Sequence, residues 1–530
     1  MRVAIISVFT DYHRRGQPHR GTLQPQIGPL IAALLPDDAD VDIVNDTWED
    51  PHWQRSYDLV LLSCMHSDFD RARQIGHYYR QRGARTVLGG IFASTHPALA
   101  EPWFDAVVVG DPEDTVPQLY ADAQAGRLKR RYCSNGHDAR RVPTPRVAPV
   151  ARKQAFPVAL EATRGCPYTC DFCALTALGT RHELRPVADV VRDVVALQAA
   201  LRGRVSDWRR RIVMFYDNNL AGNLRWFREL CHALRPLGVV WGTCLTFNVI
   251  ANRELLKLMY DSGCRAVFVG IESFNQSALD DMAKPQNKLA RAREAIAQAR
   301  DEGIVVTAGL MLNPQHDDLD YLRALPRHLR QSGLHVPSFV CFETPFPGTP
   351  FFDRMARTPG AFLPNALLRD FNAYTLVLQP QRAPLPDFIA AYVDVLGEIH
   401  GWPNRLAKLA DDLPRLLRRG SLAGAALDIV DMLDAGFDPA PGRSFCAGTE
   451  LAPPESVPFV DADFRSGAER AAVCGATRVT DATGRLLPAW HPAGEPPLRP
   501  LPWPSEGRAP APAPEVATAE LPSWAEPALP

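Results

Sequence analysis

The chain has 530 residues, more than one hydrophobic core can serve, so two or three domains are expected. With 46% hydrophobic and 22% charged residues it reads as a soluble globular protein over most of its length. Its net charge of −2 offers no footprint for nucleic acid or an anionic membrane, and no apolar run approaches the roughly 20 residues that cross a bilayer.

Met1-Arg2-Val3-Ala4-Ile5-Ile6-Ser7-Val8 lacks the longer apolar stretch and cleavage site of a signal peptide, so a cytoplasmic location is expected. Val3–Val8 reads as a first strand and Gln26–Leu35 as a helix. Val41–Val44 and the continuous apolar run Leu59–Ser63 are further strands. A polar helix over Asp70–Arg82 ends at Gly83, and short strands follow at Thr86–Leu88 and Ala106–Val109. This alternation predicts a doubly wound, Rossmann-like α/β domain over 1–130. Residues 131–155 carry Arg and Pro with few apolar side chains and read as a linker. Over 156–355 the alternation resumes. Strands are expected at Val158–Glu161, Ile212–Phe215, Val239–Leu245, Ala266–Ile271, Ile304–Leu312 and Ser338–Phe342. Helices Leu224–Leu234, Arg253–Ser262, Leu289–Glu302 and Asp318–Ser332 fill gaps between them, and Val190, Val194, Leu197 and Leu201 mark another helical face. Six βα units in a row predict a partial (β/α)6 barrel with its site at the strand carboxyl ends. Residues 356–440 are helical in pattern (Asp387–His400, Arg405–Leu417, Ser421–Ala435). The stretch 441–486 is irregular, and 487–530 is a Pro/Ala-rich tail expected to be flexible.

Eleven cysteines, an odd number in a long chain without a secretory signal, argue against a disulfide framework. Cys64, Cys231, Cys244, Cys264 and Cys341 read as core residues, and Cys133, Cys446 and Cys474 lie outside any ligand-like spacing. Only Cys166, Cys170 and Cys173 cluster, directly after the first barrel strand. Three soft thiolates within eight residues suit three corners of an iron–sulfur cube. With no fourth ligand nearby, one iron stays open, and the amino and carboxylate groups of S-adenosylmethionine are suited to occupy it. A structural zinc site of these cysteines plus His182, or three unrelated buried cysteines, are the alternatives.

The segment Arg164-Gly165-Cys166-Pro167-Tyr168-Thr169-Cys170-Asp171-Phe172-Cys173 resembles the signature of the radical S-adenosylmethionine superfamily. The resemblance implies a four-iron four-sulfur cluster on Cys166, Cys170 and Cys173, with Phe172 against the adenine. Val267-Phe268-Val269-Gly270-Ile271-Glu272-Ser273 resembles the family's fourth strand, which implies that Glu272 lies near the cofactor. A solvated strand-end glutamate is its bland reading. Phe215-Tyr216-Asp217-Asn218-Asn219 resembles the segment that faces the methionine end, which implies a cofactor role for Asp217, though Asp-Asn-Asn also suits a plain turn. Glu343-Thr344-Pro345-Phe346-Pro347-Gly348-Thr349-Pro350 resembles the close of the sixth strand in one subgroup. After Leu312 the chain departs from the family pattern.

That subgroup binds cobalamin. Gln26-Ile27-Gly28-Pro29-Leu30, Leu61-Leu62-Ser63, Val87-Leu88-Gly89-Gly90 and Val109-Gly110-Asp111-Pro112-Glu113-Asp114-Thr115 resemble its first domain, with Asp111 and Asp114 as modest departures. Gly89, Gly90 and Gly110 at strand ends let the backbone approach a large flat ligand. They equally suit simple βα turns in a domain without cofactor. Asp11-Tyr12-His13-Arg14-Arg15-Gly16 spells the motif that supplies a histidine ligand to cobalt in methionine synthase-like proteins, but the radical subgroup usually lacks that histidine, and a solvated loop histidine is the plainer reading of His13.

Covering about residues 1–355, the resemblance implies a cobalamin-dependent methyltransferase acting on an unactivated carbon of a small molecule, with flavodoxin or ferredoxin as electron donor. A cyclase, oxidase or rearrangement enzyme of the anaerobic-cyclase type is the second reading, and an iron–sulfur electron carrier or sensor the third. No side chain is assigned a catalytic role beyond holding cofactors. Substrate identity is not written in the sequence, and Arg369, Tyr374 and Tyr392 are not diagnostic.

Overall fold

The structure, a computed structural model, describes residues 1–9, 26–46, 49–136, 138–153, 156–179, 181–284, 291–364, 366–434 and 457–479. His13, Cys446 and the 487–530 tail lie outside the described residues.

Two six-stranded sheets, parallel throughout, organise the chain. The first contains β1 (Arg2–Ser7), β2 (Asp40–Asn45), β3 (Leu59–Ser63), β4 (Arg85–Gly89), β5 (Ala106–Val109) and β6 (Arg131–Cys133), in the order β2-β1-β3-β4-β5-β6. Val3–Ile6 and Leu59–Leu62 are buried on both faces, which is why they read as continuous apolar runs. Helices Ile27–Ala33, Phe69–Gln81 and Pro112–Gln124 cover this sheet. The order reverses at β1, and in such sheets ligands bind outside the strand carboxyl ends. One boundary is corrected here. Arg131–Cys133, assigned to a linker, is instead an edge strand in register with Val107–Val109 of β5. Three residues are too few to show a period, and Tyr132 joins the core with its hydroxyl donating to Asp122 at 3.0 Å.

The second sheet contains β7 (Val158–Leu160), β10 (Ile212–Phe215), β11 (Val240–Leu245), β12 (Cys264–Glu272), β13 (Val305–Leu312) and β14 (Phe339–Phe342). Each strand lies beside its predecessor, as in a partial barrel. A two-stranded antiparallel ribbon, β8 (Thr163–Arg164) with β9 (Glu183–Leu184), sits just above β7. The connecting helices follow from local signals. In Leu224–Leu234 the buried Trp226, Phe227, Leu230, Cys231 and Leu234 form one helical stripe. Asn223 caps it by accepting the Trp226 N–H at 3.1 Å.

The helical region divides its work. Leu385–Ile399 packs on Leu319–Ser332, whereas Trp402–Arg418 and Leu422–Asp434 lie at the amino ends of β12 and β13, where Val305, Leu416 and Ala425 form a small core of their own. These last two helices therefore close the bottom of the barrel. Its mouth is covered by residues 361–364 and 366–379, where Leu363 N–H donates to Val377 O at 2.8 Å and Phe342 N–H to Ala373 O at 2.7 Å. The stretch 441–486 also needs correction, because its described part is ordered by the first domain. Helix Gly467–Cys474 packs on Phe69–Gln81, and both carboxylate oxygens of Asp70 accept the Thr477 N–H at 3.1 Å. Thr477 O in turn accepts from Leu368 N–H at 2.9 Å, which ties the mouth cover to the first domain. The partners of this stretch lie far away in sequence, as in the hydrogen bond from Arg73 Nε to Val473 O 400 residues on, so no local period announces it.

Candidate active site

β7 delivers the chain to the barrel's carboxyl rim, and the β8–β9 ribbon closes the neck of the cysteine loop through Thr163↔Leu184 and Arg164↔Glu183. Gly165, at φ 78°, stands with the Arg181 carbonyl where a Cβ would be, so only glycine fits that neck. Within the loop Cys170 O accepts the Cys173 N–H at 3.2 Å and the Thr176 hydroxyl at 2.9 Å. Cys173 O accepts the Thr176 N–H at 2.9 Å. All three cysteines are free thiols, Cys170 buried and the other two half-buried. Burial pushes the Cys170 thiol up to about 11 and raises Cys173 as well. Such thiols ionise when a cation is at hand, which bound iron supplies.

Among the described residues no three His, Cys, Asp or Glu side chains converge on a single-ion position. Zinc gathers its ligands on one ion, whereas a cube spreads three thiolates over three irons. His182 lies against Pro167 and Gly222 with its Nε2 unpartnered.

Asp217 follows β10 and is fully buried. Its carboxylate accepts the backbone N–H groups of Ala162, at 3.2 Å, and Thr163, and burial raises it to about 7. It thus grips the neck of the cysteine loop. Its neighbour Asn219 reaches Cys166 Sγ with Nδ2 at 3.9 Å. Phe172 packs with Met282, Met311 and Cys341 at the mouth, where Tyr374 of the covering stretch also arrives.

Glu272 ends β12 at φ 67°, an uncommon conformation for a residue with a side chain, after a register shift against β13. Its carboxylate turns back to pair with Lys284, whose Nζ also donates to Gly270 O at 3.3 Å. Glu272 is buried, not solvated. Lys284 was missed in the sequence, since a lone lysine before proline carries no signal, yet its charge opposes the rise of the Cys170 thiol. Two further groups carried no role in the sequence. Asp171, inside the cysteine motif, pairs with Arg354 at 2.6 Å, and Arg354 reaches Asp281 at 3.2 Å. Buried Glu343, after β14, accepts from Asn313 Nδ2 at 2.5 Å, and burial raises its carboxyl well above the ordinary range.

A cavity of about 800 Å³ opens at the carboxyl edge of the first sheet, lined by Ser63, Gly89, Gly90 and Gly110 and, across from them, by Ala177 and Arg181 of the cysteine loop. Gly90 (φ 90°) would place a Cβ 2.7 Å from Ser63 Oγ, and Gly110 (φ 85°) one 2.9 Å from Ser134 Cβ. Gly89 differs: its backbone is extended and an added Cβ would meet only ordinary contacts. Arg164 seals one wall, pairing with Glu161 at 2.7 Å, Glu113 at 2.8 Å and Asp111 at 3.3 Å. The departure at Asp111 thus has a partner across the domain boundary. A mostly backbone-lined cradle of this volume suits a large cofactor.

Residues 160–325 match the model of the radical SAM superfamily, and residues 30–120 that of the B12 binding domain. The chain is 24% identical over 390 residues to the bacteriochlorophyllide d C-8(2)-methyltransferase of Chlorobaculum tepidum, covering 72% of this chain and 86% of that protein. It is 25% identical over 421 residues to the anaerobic magnesium-protoporphyrin IX monomethyl ester cyclase of Rubrivivax gelatinosus, covering 70% of this chain and 72% of that one. Among solved structures, the radical S-adenosylmethionine methyltransferase TsrM from Kitasatospora setae, with cobalamin and a [4Fe-4S] cluster bound, superposes with a TM-score of 0.55 at 15% identity, over 81% of this chain and 99% of that one.

Proposed function

From the premise that this chain belongs to the cobalamin-binding radical S-adenosylmethionine enzymes, with a four-iron four-sulfur cluster, S-adenosylmethionine and cobalamin as cofactors, we propose that it methylates an unactivated carbon of a small molecule. The observation that carries this reading is the shared cavity. The glycine-lined edge of the first sheet faces Ala177 and Arg181, a few residues after the last cysteine, across one space, so a cofactor in that cradle would lie close to one held by the cysteine loop.

When bound, the cluster and cobalamin supply reductive cleavage of S-adenosylmethionine and delivery of a methyl group. The chain's own residues hold and orient. Cys166, Cys170 and Cys173 hold three irons. Asp217 fixes the loop's neck through backbone N–H groups of Ala162 and Thr163, and Lys284 favours the thiolate of Cys170. Phe172 offers an aromatic face to the adenine, and the Glu272–Lys284 pair places a polar group on the rim beside it. Gly90 and Gly110 let the first sheet's backbone approach the corrin ligand. Met282, Met311, Cys341 and Tyr374 make the mouth apolar, which favours a substrate presenting a hydrocarbon surface and excludes water from a radical.

Among the described residues no helix is long and apolar enough to cross a membrane. A cytoplasmic location and a flavodoxin or ferredoxin donor complete the proposal. The test is anaerobic turnover with isotopically labelled methyl donor and extracts of the source cells. Methylation yields S-adenosylhomocysteine and 5′-deoxyadenosine together, with the label in product. 5′-Deoxyadenosine alone, with unlabelled product, would instead establish the cyclase or oxidase reading.

A further inference from the structure

The three thiols of the cysteine loop are approached by three kinds of partner. The Cys173 thiol is met by the main-chain N–H groups of Leu175 and Thr176, which work against the rise that burial gives it. The Cys170 thiol has the charge of Lys284 nearby. Among the described residues Cys166 is the one of the three whose sulfur is met by a side-chain donor: Asn219 Nδ2 stands 3.9 Å from its Sγ.

The backbone puts Asn219 there. Asp217, two residues earlier, is bonded to the loop's neck at Ala162 and Thr163. Leu220, the next residue, donates its N–H to Cys244 O of β11 at 3.3 Å, and Gly222 N–H closes a turn on Asn219 O at 3.1 Å. The His182 side chain bonds to the Asn219 main chain as well, and its Cε1 lies 2.6 Å from where a Cβ on Gly222 would stand. The amide is thus carried on a turn pinned on both sides, and Asn219 is only 1% exposed. Its Oδ1 has no hydrogen-bond partner among the described residues, so no rival bond draws the side chain away. An iron-bound thiolate can only accept, so an amide lodged against it presents its N–H.

A hydrogen bond donated to a ligand sulfur draws electron density from the iron behind it. The more negative, reduced cluster gains more from such a bond than the oxidised one, and cluster potentials are set in part in this way. We propose that Asn219 raises the reduction potential of the cluster through Cys166, with His182 behind it as a positioning residue. The one electron concerned comes from the external donor and serves the cleavage of S-adenosylmethionine, which a higher potential lets a less extreme donor support. The inference rests on the cluster alone and stands whether the product is methylated or oxidised.

Redox titration of the full, anaerobically reconstituted protein tests this. The reduced cluster is followed by electron paramagnetic resonance, and iron and sulfide are measured on the same samples. Asn219→Leu keeps the side chain's approximate shape and removes the donor. At a fixed potential its ratio of reduced to oxidised cluster should fall about tenfold, which for one electron is a shift of about 59 mV downward. Asn219→Asp, of nearly the same size, sets an acceptor against the thiolate and should fall at least as far. His182→Ala leaves the amide in place but loosens its turn, and a fall of about threefold is expected. A second readout is independent of packing. The amide protons exchange in deuterium oxide, and the iron–sulfur stretching modes in the resonance Raman spectrum should respond to that exchange more in the wild type than in Asn219→Leu. A full cluster in Asn219→Leu with an unchanged or raised potential overturns the proposal, as does an equal deuterium response. Loss of iron from both Asn219 variants overturns it too, because Asn219 would then serve the loop's fold and not its potential.

Discussion

The two parallel sheets meet ligands by opposite means. At the barrel's mouth the site is made of side chains: three thiols, a gripping carboxylate at Asp217, and the Glu272–Lys284 pair. At the edge of the first sheet it is made of backbone, because Gly90 and Gly110 withhold the side chains that would fill the cradle. Sites of the first kind are changed by altering chemistry and sites of the second by adding volume. The two should therefore fail independently even though Arg164 and Arg181, beside the cysteine loop, line the cradle's cavity.

The sharpest break is Cys170→Ala. With only two thiolates the cube loses an anchor, and iron and sulfide should fall to near background after anaerobic purification while cobalamin still binds; retention of the full cluster would dissolve the contrast. The converse, Gly110→Val, adds a β-branched side chain where the backbone is left-handed and the first added carbon already meets Ser134. Strain of about 1–3 kcal/mol, on top of lost space, should weaken cobalamin binding by roughly ten- to a hundredfold, leaving iron content untouched. Gly89→Ala makes the internal control, since its extended backbone tolerates a methyl group.

Asp217 sharpens the comparison through pH. Burial raises its folded pKa to about 7, above the value near 4 that it has when unfolded. Between those values the native state holds the extra proton, so stability conferred by the neutral acid is complete below about pH 4 and is lost as pH climbs towards 7, by an order of 2–4 kcal/mol. Asp217→Asn, which mimics the protonated form, should flatten that slope in thermal melts of the apoprotein, and an unchanged slope would place the titration elsewhere. The smallest effect is expected at Phe172→Leu, which keeps apolar packing with Met282 and Met311 but loses the aromatic face. Equilibrium binding of S-adenosylmethionine to the reconstituted protein should weaken by about three- to tenfold, with the cluster spectrum unaltered.

Most of the architecture was legible in the chain because its signals are local. Buried parallel strands read as apolar runs, and the cysteine spacing is meaningful within eight residues. Gly90 and Gly110 could be suspected but not distinguished from Gly89, because the difference is a backbone angle. Asp217 was found by its place after β10, but its grip on the loop's neck was not, since both its hydrogen-bond partners are main-chain groups some 54 residues earlier. Lys284 and Arg354 were not found at all, and Glu343 was seen only as part of a rim segment. Each matters through a partner brought from another strand or loop, and none repeats a pattern.

What the amino-acid order determined by itself is the chemistry and the two layers that bear it: three thiols on one short loop, and strands whose periodicity allows only parallel, helix-covered sheets. What the tertiary structure decided is adjacency. Arg164 joins Glu113 and Asp111 across the domain boundary, residues 457–479 return to the first domain, and the helix Trp402–Arg418 buries Lys408 and Asp412 while leaving Leu406 and Leu417 exposed. Those outcomes depend on the pairing of buried charges between distant segments, and the free energy of such pairs is set by separation in space, to which distance along the chain gives no guide.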